Sequence, residues 1–562
     1  MTGAATLVEA LEGAPATPAE LIFHAGGEPV RLSAASLLDQ ARAGATLLAS
    51  RGVRPGDAVG VLGPNRPEWA RWAFATWLAG AVLVPLPYHL RVPDPELMRQ
   101  QIGMFVRSAR CRAVLADPSM LPFVPANVGM RWDVDLPRPS RLRFRDPRPE
   151  DVAVIQFTSG STAAPKGAVL PHRAVLAGIR NSSAGSGEDS TGWIQLSWLP
   201  FFHDWALFGY LVWSVVMGTQ THILPTERFA RDPSEWLRLV GTVGAMMTPG
   251  PSSAWDVALR VAGRRPEGID LSSLRVCTLA AEMIEPRVLD RLVDRGGPLR
   301  LRPEALNGAY GLAEATLAVT LGRAGGGIRV DLVDPDALVA TGRALPETGS
   351  GGKSIASCGS PVPDARVAIS GPAGWLPERH VGEILLRGPS LMQGYLGEHD
   401  DPFVDGWMRT GDQGYLADGE LFVTGRTRDV VIVMGRNYAA QDLEWAAERV
   451  EGVRQGRSVA FVPEGAEGEA VLVVEASRPD DVDALPRSVW REVSDSVGVV
   501  PREVLVLPGG SVPMTTSGKL RRSWVREAFA TRALDELVLA RGPGRSRSPA
   551  GAGRAARTRD AG

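Results

Sequence analysis

Three lysines stand among the 61 Lys and Arg residues of this chain, and two of the three close small polar loops. Lys166 ends the run Phe157-Thr158-Ser159-Gly160-Ser161-Thr162-Ala163-Ala164-Pro165-Lys166, and Lys519 ends Pro513-Met514-Thr515-Thr516-Ser517-Gly518-Lys519. Arg is a planar fork with spread charge, whereas Lys is a compact point charge on a flexible stem. A chain that writes Arg almost everywhere and Lys here points to a site needing one charge on one oxygen in little space. Thr158, Ser159, Ser161 and Thr162 supply four hydroxyls around Gly160, and successive N–H groups in such a loop form an anion nest. A Walker A loop needs Gly-Lys-Ser/Thr, but here Pro165 precedes Lys166 and Gly167 follows it. The chemistry expected of the first loop is phosphate binding.

The elements that must position these loops alternate. Ser33 to Ser50 is amphipathic, Asp57 to Leu62 reads as a strand, Pro67 to Leu78 as a helix, and Ala81 to Pro85 as a strand. Short apolar runs alternating with helical patterns predict an α/β fold with largely parallel sheets. Such sheets bind ligands at the carboxyl ends of their strands. Val152 to Phe157 reads as a strand running into the Lys166 loop. A smaller α+β unit begins near Asp429: strand Val430 to Val433, helix Gln441 to Val450, strands Ser458 to Val462 and Ala470 to Val474, helix Val482 to Val497, strand Glu503 to Leu507. The expected division is a large domain over 1–428, a small mobile domain over 429–540 and a disordered tail over 541–562. That last stretch is Arg, Gly, Ala, Ser and Pro with almost no apolar bulk.

Composition narrows the function. Hydrophobic residues make up 44% and charged residues 22%, which is ordinary globular usage. A formal net charge of −2 argues against nucleic acid. Cys111, Cys277 and Cys358 show neither metal spacing nor a disulfide framework, which suits the cytoplasm. No signal peptide is visible, and Trp205 to Gly218 is too short to span a membrane and reads as a buried helix.

Beyond the loops, Leu199-Pro200-Phe201-Phe202-His203-Asp204, Tyr310-Gly311-Leu312-Ala313-Glu314-Ala315-Thr316, Trp407-Met408-Arg409-Thr410-Gly411-Asp412 and Gly425-Arg426-Thr427-Arg428-Asp429 follow in order. Together they resemble the AMP-forming adenylating enzymes, which include acyl-CoA synthetases, adenylation domains of peptide synthetases and luciferases. The resemblance covers nearly all of residues 20–530. Within the family the chain is most similar to the fatty acyl-AMP ligases. The Tyr310–Thr316 form, the stretch Arg436-Asn437 with Gln441-Asp442-Leu443-Glu444, and an insertion over 317–356 carry that likeness. Departures are Ala163-Ala164 in the phosphate loop, Trp205-Ala206 after His203-Asp204, and Ala280-Ala281 before Glu282.

The resemblance implies ATP and Mg²⁺ as cofactors. It gives Lys519 and His203 catalytic roles, and Glu314 the metal. Thr158, Ser159, Gly160, Ser161, Thr162, Lys166, Glu282, Asn307, Gly308, Tyr310, Gly311, Thr316, Asp412 and Arg426 fall on nucleotide-binding positions. Asp429 falls on the hinge, and Phe202, Asp204, Trp205 and Tyr210 on the acyl pocket. The implied reaction joins a fatty or other carboxylic acid to AMP. No carrier domain follows Lys519, so the expected acceptor is the phosphopantetheine thiol of a separate acyl carrier protein, with the enzyme a monomer. Three rival readings are an acyl-CoA synthetase, an amino-acid adenylation domain and a non-catalytic nucleotide-binding regulator. No acid is visible that would hold a substrate ammonium, and Glu314, Asp412 and Lys519 are intact, which counts against the last two.

Overall fold

The computed structural model describes residues 3–89, 94–138, 146–158, 166–349, 351–397, 401–466, 468–478, 482–515 and 518–543. The chain divides into two units, Met1–Arg428 with Met514–Lys519, and Asp429–Pro513 with Leu520–Gly562.

In the first unit, β1 (Glu20–Phe23) and β2 (Val30–Ser33) pair antiparallel. The chain then builds a separate six-stranded sheet from β3 (Ala58–Leu62), β4 (Val82–Pro85), β5 (Ala113–Ala116), β6 (Gly129–Arg131), β7 (Val152–Phe157) and β8 (Gly167–Pro171). Its pairs are parallel except β7 with β8. The helix Pro67–Leu78 starts on proline, whose missing N–H costs nothing at a first position, and it buries Trp69, Trp72 and Trp77.

The chain next returns to the first sheet through β9 (Ile194–Ser197), β10 (Gln220–Ile223), β11 (Met247–Pro249), β12 (Val276–Leu279), β13 (Leu306–Gly311) and β14 (Ala318–Leu321). With β1, β2 and the short strand Ser360–Pro361 these make nine strands, parallel from β13 across to β1. The α/β class read from the sequence is the class observed. Carboxyl ends of these strands lead into the motifs: Lys166 lies beyond β7, His203-Asp204 beyond β9, Glu282 beyond β12 and Glu314 beyond β13.

Trp205 to Gly218 is helical as expected, but it winds through three segments. Asp204–Ala206 and Trp213–Met217 are α-helical, and Leu207–Val212 between them is a π-helix. A third sheet, of Arg366–Gly371, Gly374–Leu376, Gly382–Arg387, Phe403–Val404, Trp407–Ala417 and Glu420–Arg426, carries Asp412 and Arg426 as direct register partners.

The insertion begins later than its sequence boundary. Leu317 is followed by β14, a member of the nine-stranded sheet, and the chain leaves that sheet only after Leu321. Val330–Val333 then pairs antiparallel with Lys353–Ala356, and Asp334 caps the helix Pro335–Thr341 by accepting the N–H groups of Asp336 and Ala337. Val333, Leu338, Ala344 and Ile355 pack on Tyr415, Ala417 and Phe422 of the third sheet. Within that contact Asp331 accepts the Tyr415 hydroxyl at 2.7 Å and pairs with Arg379 at 3.0 Å.

The second unit holds a hairpin, Val430–Val433 with Arg436–Ala439, and a sheet ordered Val453–Phe461, Val471–Ala476, Glu503–Leu507, Ala540–Gly542. Its core joins Val459, Phe461, Val473 and Leu505 to Val525 and Ala528 of the helix Arg522–Ala530. The strand Ala540–Gly542 corrects the tail boundary: Arg541 and Gly542 pair with Leu505 and Val504. Backbone pairing, rather than side-chain burial, gives this polar stretch its place. Residues 544–562 lie outside the described residues. Among the described residues no helix is long and apolar enough to cross a membrane.

Candidate functional site

All site residues described here except Asp429 belong to the first unit. The Lys166 loop closes on itself at its base: the Thr158 N–H and hydroxyl both donate to the Lys166 carbonyl, at 2.9 and 3.3 Å. Ser159, Gly160, Ser161 and Thr162 lie outside the described residues. The Lys166 ammonium sits 5.0 Å over the Tyr395 ring, a cation–π geometry, and the Tyr395 hydroxyl donates to Glu314 Oε1 at 2.8 Å. Tyr395 thus joins Lys166 to the Glu314 carboxylate. Burial pushes the Glu314 carboxyl up, the Tyr395 hydrogen bond opposes this, and the charges of Asp204 and Asp412 push it further up.

A second group forms around Asp412. The Tyr310 hydroxyl donates to Asp412 Oδ2 at 2.8 Å, and Arg426 Nε pairs with Asp412 Oδ1 at 3.0 Å. The Asp412 N–H donates to the Thr410 hydroxyl at 3.0 Å, which fixes the strand edge that carries the carboxylate. Burial and the Asp412 charge hold the Tyr310 hydroxyl in its neutral, donating form. Gly308 is required: a Cβ there would lie 2.3 Å from the Ser357 carbonyl oxygen. Gly311 meets the same limit at the Leu317 carbonyl, also 2.3 Å away. Asn307 donates to the Gly322 carbonyl at 2.6 Å, leaving its own Oδ1 buried and unpartnered among the described residues. The Thr316 hydroxyl donates inward to the Ser390 carbonyl at 2.8 Å, in a fully buried turn at φ 71°.

Glu282 follows Ala281, which stands at φ 70° in the left-handed region that favours glycine. Its carboxylate accepts the Ser252 hydroxyl at 2.7 Å, the Ser253 N–H at 2.8 Å and the Ser253 hydroxyl at 3.0 Å. These donors open the helix Ser252–Ala262, an end that favours negative charge.

Next to β9, His203 Nδ1 and Asp204 Oδ1 are 2.5 Å apart, and the Trp205 N–H donates to both side chains, at 3.2 and 2.7 Å. Burial pushes the Asp204 carboxyl up, but His203, the Trp205 N–H and the Lys519 charge together hold it below the usual carboxylate range. Lys519 is held below the usual lysine range by burial first and then by Arg426, while Asp204, Asp412 and Glu282 pull it back up. Those named groups therefore share one electrostatic neighbourhood. Phe202 packs with Tyr88 at 5.2 Å between ring centres, half-buried Trp205 lies over Gly209 beside Leu317, and Tyr210 is fully buried. In the second unit Asp429 is buried and held by Arg526 at 2.7 Å and Arg522 at 3.8 Å.

Sequence reasoning missed Tyr395, Ser252 and Ser253. A lone Tyr among glycines carries no periodic signal. The two serines become visible only once β11 and β12 bring Glu282 to the start of their helix.

Clustered cations and carboxylates at the ends of parallel strands suit a reaction in which two anions must be brought together. The AMP-binding enzyme family model matches residues 9–396, and the chain belongs to that family. Its branch is that of the fatty acyl-AMP ligases, and it is an AMP-forming ligase. It is 32% identical to a long-chain-fatty-acid–AMP ligase of Mycobacterium tuberculosis, over 86% of this chain and 89% of that one. It is 33% identical to a putative acyl-CoA synthetase of Caulobacter vibrioides, over 93% of this chain and 95% of that one. A solved structure from a study of fatty acyl-adenylate ligases of E. coli and L. pneumophila matches with a TM-score of 0.88 at 30% identity, covering 94% of this chain and 98% of that one.

Proposed function

We propose that the enzyme activates a fatty or related carboxylic acid with ATP and passes the acyl group to the phosphopantetheine thiol of a separate carrier protein. A carboxylate oxygen attacks the α-phosphorus, the bond to the bridging oxygen breaks, and pyrophosphate leaves with that electron pair. The acyl-AMP formed is a mixed anhydride. A thiolate then attacks its carbonyl carbon, and AMP leaves as the thioester forms.

The observation that carries this reading is the charge neighbourhood of Lys519, with Asp204, Asp412, Glu282 and Arg426 around it. In our reading the Lys519 ammonium meets the oxygen charge that grows between carboxylate and α-phosphate, the place where a fixed donor lowers the barrier most. Lys166 and the Thr158 end of its loop hold the pyrophosphate side. Asp412 accepts the ribose hydroxyls with Arg426 and Tyr310 fixing its two oxygens, while Tyr310 and Asn307 face the adenine. His203, oriented by Asp204, lies where the acid enters. Asp429, the first residue of the second unit, is our candidate hinge.

Among the described residues no group of three or more metal-binding side chains occurs. A single carboxylate, Glu314, fits Mg²⁺, which binds through one or two carboxylates and completes its shell with phosphate oxygens and water. Bound there, Mg²⁺ would supply charge neutralisation on the phosphates.

The test is pyrophosphate release measured with ATP and a fatty acid panel, followed by transfer to a carrier protein or to coenzyme A. Acid-dependent release with loading of the carrier supports the proposal. Release without acid dependence removes it, and efficient use of free coenzyme A replaces it with the synthetase reading.

A further inference from the structure

The stretch of chain that carries Tyr395 is fastened on two sides. β8 is the last strand in the order of the six-stranded sheet, and residues 393–396 run antiparallel beside it. The Gln393 N–H donates to the Val169 carbonyl at 2.8 Å, the Val169 N–H to the Gly394 carbonyl at 3.0 Å, and the Leu396 N–H to the Gly167 carbonyl at 2.7 Å. The residues just before are tied to the end of β13 in the other sheet. The Met392 N–H donates to the Glu314 carbonyl at 2.8 Å, and the Ser390 carbonyl accepts the Thr316 hydroxyl, also at 2.8 Å. Residues 390–396 thus strap the strand that follows Lys166 to the turn that presents Glu314.

The register of this strap decides where the Tyr395 side chain goes. Tyr395 stands opposite Ala168. Residues facing each other on antiparallel strands share a face, as do residues two apart along one strand. Lys166 lies two residues before Ala168, so Lys166 and Tyr395 emerge on the same face, and the ammonium comes to rest 5.0 Å over the ring. The hydroxyl of that ring reaches Glu314 Oε1 at 2.8 Å. The two contacts use different parts of one side chain. Phenylalanine would keep the ring beside Lys166 and lose Glu314; leucine would lose both.

Resting on the reading above, in which Lys166 meets the pyrophosphate end of ATP and Glu314 serves Mg²⁺, we propose that Tyr395 is the positioning residue of that end. Its ring holds the Lys166 ammonium and its hydroxyl aims the Glu314 carboxylate, so both charges stand in place before the nucleotide arrives. A free lysine stem would have to give up its rotamer freedom on binding, and the ring contact removes much of that cost in advance. A hydrogen bond to Oε1 fixes the plane of the carboxylate and with it the direction of Oε2, as partners behind a metal ligand commonly do. Charges placed in advance need no rearrangement when the phosphate charge shifts.

The experiment sets Tyr395→Phe and Tyr395→Leu beside the wild type in two measurements, with melting curves confirming folded protein. The first is calorimetry of pyrophosphate binding without metal. Tyr395→Phe is expected to bind within about twofold of wild type, and Tyr395→Leu about fivefold more weakly. The second is the Mg²⁺ concentration that gives half-maximal pyrophosphate release with ATP and a fatty acid. Both variants are expected to need about tenfold more than wild type. An unchanged Mg²⁺ requirement in Tyr395→Phe overturns the proposal, as does wild-type pyrophosphate affinity in Tyr395→Leu. Equal losses from both variants in both measurements mark a merely structural tyrosine and overturn it too. Should Tyr395→Leu fail to fold, Tyr395→Phe decides alone: pyrophosphate affinity kept and Mg²⁺ requirement raised supports the proposal, and any other pair of results overturns it. Acid-dependent release by the wild type keeps the adenylation reading whatever the variants do. A wild type without it removes that reading, and the proposal with it.

Discussion

One strand, Trp407–Ala417, carries two Tyr–carboxylate–Arg triads that differ in what surrounds them. In the first, Asp412 takes the Tyr310 hydroxyl and Arg426. In the second, Asp331 takes the hydroxyl of Tyr415 and Arg379. The chemistry is the same, a carboxylate with both oxygens fixed by a phenol and a guanidinium. The Arg426 side chain, however, is 43% exposed and its carboxylate shares charge with Lys519, whereas Arg379 is 25% exposed and its triad is roofed by Val333, Leu338, Ile355 and Phe422. A triad left open beside other charges is free to bind; a triad closed by apolar side chains locks the insertion to the third sheet.

The largest expected effect lies beside the open triad. Lys519→Ala is expected to lower pyrophosphate release by roughly a hundredfold or more, the scale for loss of one transition-state donor, with ATP binding by calorimetry largely kept. Lys519→Arg is expected to fail as well, because a planar fork cannot replace a point charge. Near wild-type release from either variant would remove Lys519 from the reaction.

The two carboxylates themselves separate binding from folding. Asp412→Ala is expected to raise the KM for ATP about tenfold or more, beside the stability lost as the buried Tyr310 hydroxyl gives up its partner. Asp331→Ala is expected to cost about 2 kcal/mol of stability as the Tyr415 hydroxyl loses its buried partner, with ATP kinetics kept. The comparison breaks if denaturant titration and ATP saturation curves give the two substitutions the same signature.

How much of this was legible depended on how local the cause was. The helix Pro67–Leu78 and the strands Val152–Phe157, Val430–Val433 and Glu503–Leu507 were read residue for residue, because proline starts and short β-branched runs act locally. The helix expected at Gln441 to Val450 runs Ala440–Glu448, an end effect of fraying. The π-turn inside Trp205 to Gly218 leaves no mark in apolar periodicity. Most of the third sheet, and the strand Ala540–Gly542, escaped because partners far away in sequence create them. Likewise the two lysine-closed loops could be read as motifs, but Tyr395 between Lys166 and Glu314, and Asp331 against Tyr415, depend on contacts across long stretches of chain.

The smallest effect concerns Trp205, half-buried over Gly209. Trp205→Gly is expected to shift preference toward longer or bulkier acids, by about 0.8 kcal/mol for each methylene newly buried. An unchanged chain-length profile would place Trp205 outside the acyl path.

The account turns on what the enzyme makes when free coenzyme A is the acceptor offered. The direct measurement is chromatography of the products after incubation with ATP, Mg²⁺, a fatty acid and free coenzyme A. Acyl-AMP with released pyrophosphate and little acyl-CoA is the predicted result. Rapid conversion of the acid to acyl-CoA, or no acid-dependent pyrophosphate at all, would contradict it.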